Sequence, residues 1–287
     1  MVKEITVPHL QSLIGKVVRV YKGGPESRTG KLLAVKSDYL IMQTDDPNPE
    51  ADPCYPYLIY YKLHHIKSIS EDTKANSSHE TMFNGEVLEY DEFDDFHQLL
   101  ESCIYKCIRI DRGGPESRCG YLLAVGTDYL VMLTEEEGLL YCNIHHIKSI
   151  SEELPNEKII KAIPFFPRSG NLFTHIEAEN FNGLFKSMRY CWVKINRGGP
   201  ECIEGVLVDS SEDHLTLIVN QQVNRIATFH IRNVSLGTLP ESSNDKNSEV
   251  KTETASSNNQ SSDNKKYDKY ERKLEQKRKK LEEKRKK

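Results

Sequence analysis

The tetrapeptide Gly-Gly-Pro-Glu occurs three times in this chain, at Gly23–Glu26, Gly113–Glu116 and Gly198–Glu201. A second phrase follows each copy. His-His-Ile-Lys-Ser-Ile-Ser runs from His64 to Ser70 and again from His145 to Ser151, and Phe229–Ser235 carries a worn third version. Most of the chain is therefore one module written three times, over 8–70, 93–151 and 177–236. A unit of about 60 residues buries only ~60% of its unfolded-chain surface, so the three are expected to pack on one another. An enzyme assembles its site once; words repeated in turns and strands point instead to a binding or assembly protein.

Within each module the apolar period changes. Phe93, Phe96, Leu99 and Leu100 in the second copy, and Phe181, Leu184 and Phe185 in the third, lie on one face of a short helix. Leu10, Leu13 and Ile14 are the shorter version in the first. A period of two follows: Val18 and Val20 flank Arg19, Ile108 and Ile110 flank Arg109, and Val193 and Ile195 flank Lys194. The Gly-Gly-Pro turn ends that strand, because glycine admits positive φ and proline removes a ladder donor. Gly30, Gly120 and Gly205 then open a longer apolar run and suggest a bend or bulge. Two further strands follow, and a His-Ile segment leads into a short fifth.

One helix and five bent strands is the order of Sm-like and SH3-like barrels, and Gly-x-Leu, Asp-Tyr-Leu and a closing Ile-x-x-Ile resemble the Sm pattern. The expected fold is mainly β: three tandem five-stranded barrels, each with a short N-terminal helix, and with Val18, Val20, Leu32 and Ile66 inside the first. The RNA-contacting Asn and Arg-Gly of the Sm pattern are not at their places, where His64-His65 and His145-His146 stand. Fold alone carries no function. The Pro- and acid-rich insertion Asp45–Tyr57 reads as a surface loop, and Glu71–Glu92 and Glu152–His175 between the modules are linker-like at their starts.

Residues 237–264 have no aromatic and, past Leu239, almost no large aliphatic side chain and read as a disordered linker, and 265–287 as a basic helical tail. Lys265–Lys287 holds 13 Lys/Arg against 5 Asp/Glu, so the net charge of −4 divides into +8 for the tail and −12 for the remainder. That asymmetry favours self-association or two kinds of partner. The acidic body is not an expected nucleic-acid binder; an RNA-binding role would fall to the tail. No run of about 18 apolar residues occurs, so no membrane insertion is expected, and the start has no signal-peptide pattern.

Three groups of residues invite chemical readings. The glycine turns Gly23-Gly24-Pro25-Glu26, Gly113-Gly114-Pro115-Glu116 and Gly198-Gly199-Pro200-Glu201 lack the Gly-Lys-Ser/Thr of a phosphate cradle. They read as strand-joining turns, with the glutamates exposed or bonded to Arg28 or Arg118, or else as shared contacts for assembly. His65, His146 and His230 recur at one strand end in three separate units, which suits a structural hydrogen bond better than a shared metal ion. The seven cysteines have no C-x-x-C spacing and read as buried or half-buried thiols. No catalytic constellation, metal or cofactor is expected.

The phrases VYKGGPESRTGKLLAVKSDYL, RIDRGGPESRCGYLLAVGTDYL, INRGGPECIEGVLVDS and NIHHIKSIS resemble the spore coat protein B family of Bacillus-type endospore formers, over about residues 10–236. The resemblance implies a structural component of the outer spore coat, made in the mother-cell cytoplasm and dependent on other spore coat proteins as partners. Longer members carry Ser-Lys/Arg-Ser repeats in the tail; here the Ser-rich stretch Ser242–Ser262 is short and acidic.

Overall fold

The computed structural model describes residues 7–44, 56–77, 87–153 and 174–237. The first repeat has helix α1 (Val7–Gln11) and strands β1 (Val17–Val20), β2 (Arg28–Val35), β3 (Tyr39–Thr44), β4 (Tyr57–Lys62) and β5 (Ile69–Glu71). A short helix α2 (Thr73–Ser77) lies within the stretch expected to be linker. The second repeat has α3 (Phe96–Ser102), β6 (Cys107–Ile110), β7 (Arg118–Val125), β8 (Tyr129–Thr134), β9 (Gly138–Asn143) and β10 (Ser149–Glu152). The third has α4 (Phe181–Ser187), β11 (Trp192–Ile195), β12 (Ile203–Ser210), β13 (His214–Val219), β14 (Gln222–Ala227) and β15 (Asn233–Leu236).

These strands do not make three closed barrels. They form a single open antiparallel sheet of 15 strands, in the order β14-β13-β12-β11-β15-β9-β8-β7-β6-β10-β4-β3-β2-β1-β5. In each repeat the first four strands form a meander and the fifth pairs with the first, as in β1–β5, β6–β10 and β11–β15. The fourth strand never returns to the fifth strand of its own repeat. Instead β4 pairs with β10 (Tyr61↔Ser149, Tyr60↔Ile150), and β9 pairs with β15 (Cys142↔Asn233, Tyr141↔Val234, Leu140↔Ser235). Alternation assigns faces to a strand but is blind to which edge its hydrogen bonds seek, so the barrel expectation fails at that point. The insertion over 45–55, the linker from 238 and the basic tail lie outside the described residues.

The glycines of the second strand have a different reason from the one expected. The bulges fall later, at Leu32/Ala34, Leu122/Ala124 and Leu207/Asp209. At Gly30, Gly120 and Gly205 a Cβ would run into the main-chain oxygen of Gln43, Leu133 or Ile218, so the glycine permits close crossing of adjacent strands.

Val18, Val20, Leu32 and Ile66 are buried in the core of the first repeat. The other two cores are shared. Tyr39, Ile41 and Tyr60 of the first repeat pack with Phe96, Leu99 and Leu100 of α3 in the second. Tyr129, Val131 and Tyr141 repeat that arrangement with Phe181, Leu184 and Phe185 of α4. Each helix is also started partly by its predecessor. Asp95 caps α3 by accepting from Gln98 N at 2.9 Å, and Asp38 of the first repeat accepts from Phe96 N at 2.8 Å. Asn180 and Asp128 do the same for α4, at Gly183 N (2.9 Å) and Phe181 N (2.6 Å).

Candidate assembly interface

The repeated words meet where the repeats meet. Glu26 closes the first Gly-Gly-Pro-Glu turn and is 6% exposed. Its Oε1 accepts from Arg112 N at 2.6 Å and its Oε2 from Ser149 Oγ at 2.9 Å, both in the second repeat. Tyr61 donates its hydroxyl to Glu26 O at 2.9 Å. Pro25 rests against Gly113 and Gly114, so one turn sits on the glycines of the next. Arg28 donates to Arg112 O at 3.3 Å, and the Arg112 guanidinium lies 4.5 Å from the Tyr57 ring centre. Glu26 is therefore neither exposed nor bonded to its neighbour Arg28, because the next repeat supplies better donors.

The second joint reuses the plan with one exchange. Arg118 donates to Arg197 O at 2.6 Å, as Arg28 does to Arg112. Gly198, with φ +84°, has no room for a Cβ against Arg118 and Pro115 O. Asn233 stands where Ser149 stood, and its own Oδ1 takes the Arg197 N–H at 3.0 Å. Glu116 is thereby released, and pairs with Lys148 at 3.3 Å and with Arg232. Glu201, in the third turn, is exposed, as is Pro200.

The repeated histidines follow the same logic. They lie in single 3-10 turns, Leu63–His65, Ile144–His146 and Thr228–His230, each directly after the fourth strand of its repeat. His65 Nε2 lies 2.6 Å from His145 O and His146 Nε2 lies 2.8 Å from Phe229 O. A carbonyl only accepts, so each Nε2 carries the proton. Burial lowers the pKa of both rings, to about 4 for His65. His230 is exposed.

Charges are buried at the first joint. Burial raises the Glu26 carboxyl pKa, against hydrogen bonds from Arg112 N and Ser149 that lower it. Asp111 is pushed up to about 6 by burial and then by the charge of Glu26. Its Oδ1 accepts from Lys148 N at 2.8 Å. Asp111 (φ 53°) and Asn196 (φ 53°) hold the left-handed corner before the glycines, with Tyr21 (φ 59°) in the first copy. Asp and Asn adopt that region more readily than most residues. That preference, with Asp38 and Asp128 at the same offset before each third strand, was a readable signal for connector residues that sequence reasoning passed over.

Six of the seven cysteines fall among the described residues and all six are free thiols. Cys107 and Cys119 approach to 3.9 Å between sulfurs. Among the described residues, no group of three or more His, Cys, Asp or Glu is placed to hold a metal ion, and no helix is long and apolar enough to cross a membrane. An open depression of about 860 Å³ lies at the third repeat, with Arg197, Glu201, Arg225 and His230 on its wall.

No protein-family model matches the chain. It is similar to spore coat protein B of Bacillus subtilis (strain 168), with 45% identity over 228 residues, which is 79% of this chain and 54% of that protein. The chain thus spans about half the length of the curated relative it matches. On that likeness, the chain belongs to the spore coat protein B family, and its place is the spore coat.

Proposed function

We propose that this chain is a structural, non-enzymatic building block of the outer spore coat, acting through protein–protein contacts of its repeats with other coat proteins. The observation that carries the reading is the use of the repeated words. Gly-Gly-Pro-Glu and the second histidine serve as connectors between one repeat and the next. A connector written once more than the chain has internal joints, as at Glu201 and His230, suits a part that joins something else. Synthesis in the mother cell, with deposition on the forming spore, is the route this reading assigns.

A fluorescent fusion followed through sporulation tests the proposal. A ring of signal on the spore, absent from vegetative cells, is the expected result. Diffuse signal with no ring would sink it.

A further inference from the structure

Among the described residues the 15-stranded sheet ends on two edges without a strand partner, β14 and β5, and they are the two halves of a joint the chain already makes twice. By repeat position β14 is equivalent to β4 and β9, and β5 to β10 and β15. We infer that a second copy of this chain pairs its β5 with β14 of the first, head to tail, repeating the internal joint between molecules. The inference rests on the building-block reading above and names the partner as the chain itself.

Both ends keep the connector groups. Ser149 and Ser151 are 0% exposed at the first joint. Their equivalents Ser68 and Ser70 are the same residue types, exposed on β5 and beside it. Glu201 occupies the place of Glu26, and across the new joint would meet the N–H of Lys22 and the hydroxyl of Ser68, as Glu26 meets Arg112 and Ser149. His230 would reach His64 O, as His65 reaches His145 O. At the internal joints the fourth strand sends across the N–H of Lys62 (to Lys148 O, 3.0 Å) and of Asn143 (to Arg232 O, 2.8 Å). The equivalent N–H is that of Ala227, an exposed residue, and the equivalent acceptor is Lys67 O. Neither edge is closed by a proline or a bulge. β5 and β14 contain no proline, and the β13–β14 ladder has no register shift.

The apolar part of the joint changes, and this sets its strength. Tyr39, Ile41 and Tyr60 are replaced in the third repeat by His214, Thr216 and Arg225. A polar face keeps the free end soluble, as in the terminal repeats of other arrays. It also brings Arg225, at the place of Tyr60, next to the position of Glu71, the equivalent of Glu152, whose charge acts on Tyr60. The joint between copies is thus held by backbone pairing and charge, forms reversibly with concentration, and weakens with salt. A head-to-tail contact gives a ring if the rotation closes and a fibre if it does not.

The test uses the full chain in sedimentation velocity over a wide concentration range, at low and high salt. Ala227 has φ −65°, the value proline prefers, so Ala227→Pro removes the outward N–H without bending the strand. Wild type should associate with concentration, and A227P should weaken that at least about tenfold with its circular dichroism unchanged. Register is tested in a Cys202→Ser background. Asn224→Cys mixed with Ser70→Cys should give a disulfide-linked heterodimer on mild oxidation, because Leu140 and Ser235 face each other at the second joint. Neither cysteine variant alone should give that product. A wild type that stays monomeric at every concentration, or an A227P variant that associates like wild type, overturns the inference. If the fusion rings the spore but the chain stays monomeric, only the head-to-tail pairing fails. If the chain associates but the fusion stays diffuse, the coat reading fails instead.

Discussion

Glu26→Ala and Glu201→Ala change the same letter of the same word and should have very different consequences. At Glu26 the substitution removes two accepted hydrogen bonds from a residue 6% exposed. The Arg112 N–H is left buried without that acceptor, at a cost of about 1–3 kcal/mol, and the loss of the Ser149 bond adds about 1 kcal/mol. Part is returned, because the raised pKa of Glu26 means that its carboxylate is expensive to bury. The balance is a loss of about 2–4 kcal/mol, or a melting temperature lower by about 5–15 °C for a body of this size. Glu26→Gln keeps an oxygen for Arg112 N and presents an amide to Ser149 Oγ, and should stay within about 1 kcal/mol of wild type. Glu201 is exposed, and E201A should leave the melting temperature within the usual surface range of about ±0.5 kcal/mol. Thermal melts by circular dichroism and urea titration measure all three. Equal shifts for E26A and E201A would refute the claim that the turn is a buried joint in one copy and a free end in the other.

Further outcomes follow from the same geometry. Asp128→Ala should cost about 1 kcal/mol through loss of the bond from Phe181 N, whereas Asp213→Ala, with no described helix to start and only exposed contacts to Ser211 and His214 to lose, should cost less; paired urea titrations compare them. The acid response should have two opposed arms. His65 stays neutral when folded to a pKa of about 4, so its contribution is complete above its unfolded value of about 6.5 and is lost as pH falls below that. Asp111 has its folded value raised to about 6, so acidification through that range relieves a cost the folded state bears at neutral pH. Asp111→Asn, the residue that the third repeat carries as Asn196, should therefore melt no lower than wild type at pH 7 and lose stability more steeply toward pH 4. Parallel curves would count against this assignment. Deleting Lys265–Lys287 should abolish whatever salt-sensitive RNA binding the chain has in anisotropy assays, because the remaining body is at −12. Tight RNA binding by the truncated chain would revive a nucleic-acid role.

Much of the local structure was legible in the residues, and its closure was not. The period of two placed Val18 and Val20 inward, and the glycine turns marked the strand ends, because both signals are local. The choice between a barrel and a continuous sheet depends on whether β4 meets the fifth strand of its own repeat or of the next, and the backbone groups that decide it look alike in any sequence. The same holds for Glu26. Its neighbours in the sequence suggested Arg28, while the atoms that hold it come from residues 112 and 149. A lone copy of the module could not have revealed them, since those donors exist only once a second copy is docked.

The three copies differ most where their surroundings differ, and this explains which letters of the repeated words could change. At the first joint Glu26 carries the bond to the next repeat, so Ser149 stays small and donates to it. At the second joint Asn233 satisfies Arg197 N from within its own repeat, and Glu116 is free to bind Lys148 and Arg232 instead. At the third no following repeat is among the described residues; Arg28 and Arg118 give way to Ile203, and Lys62 and Asn143 to Ala227. Yet Gly198-Gly199-Pro200-Glu201 and His230 persist there, at residues exposed for all or most of their length. Packing within the chain explains the glycines, which meet Arg118 and Asn196, but it leaves Pro200, Glu201 and His230 exposed, the His230 ring edge-on to its neighbour Phe229. Those groups have the form of a connector with its neighbour still to come, and β5 at the far end of the sheet has the complementary form.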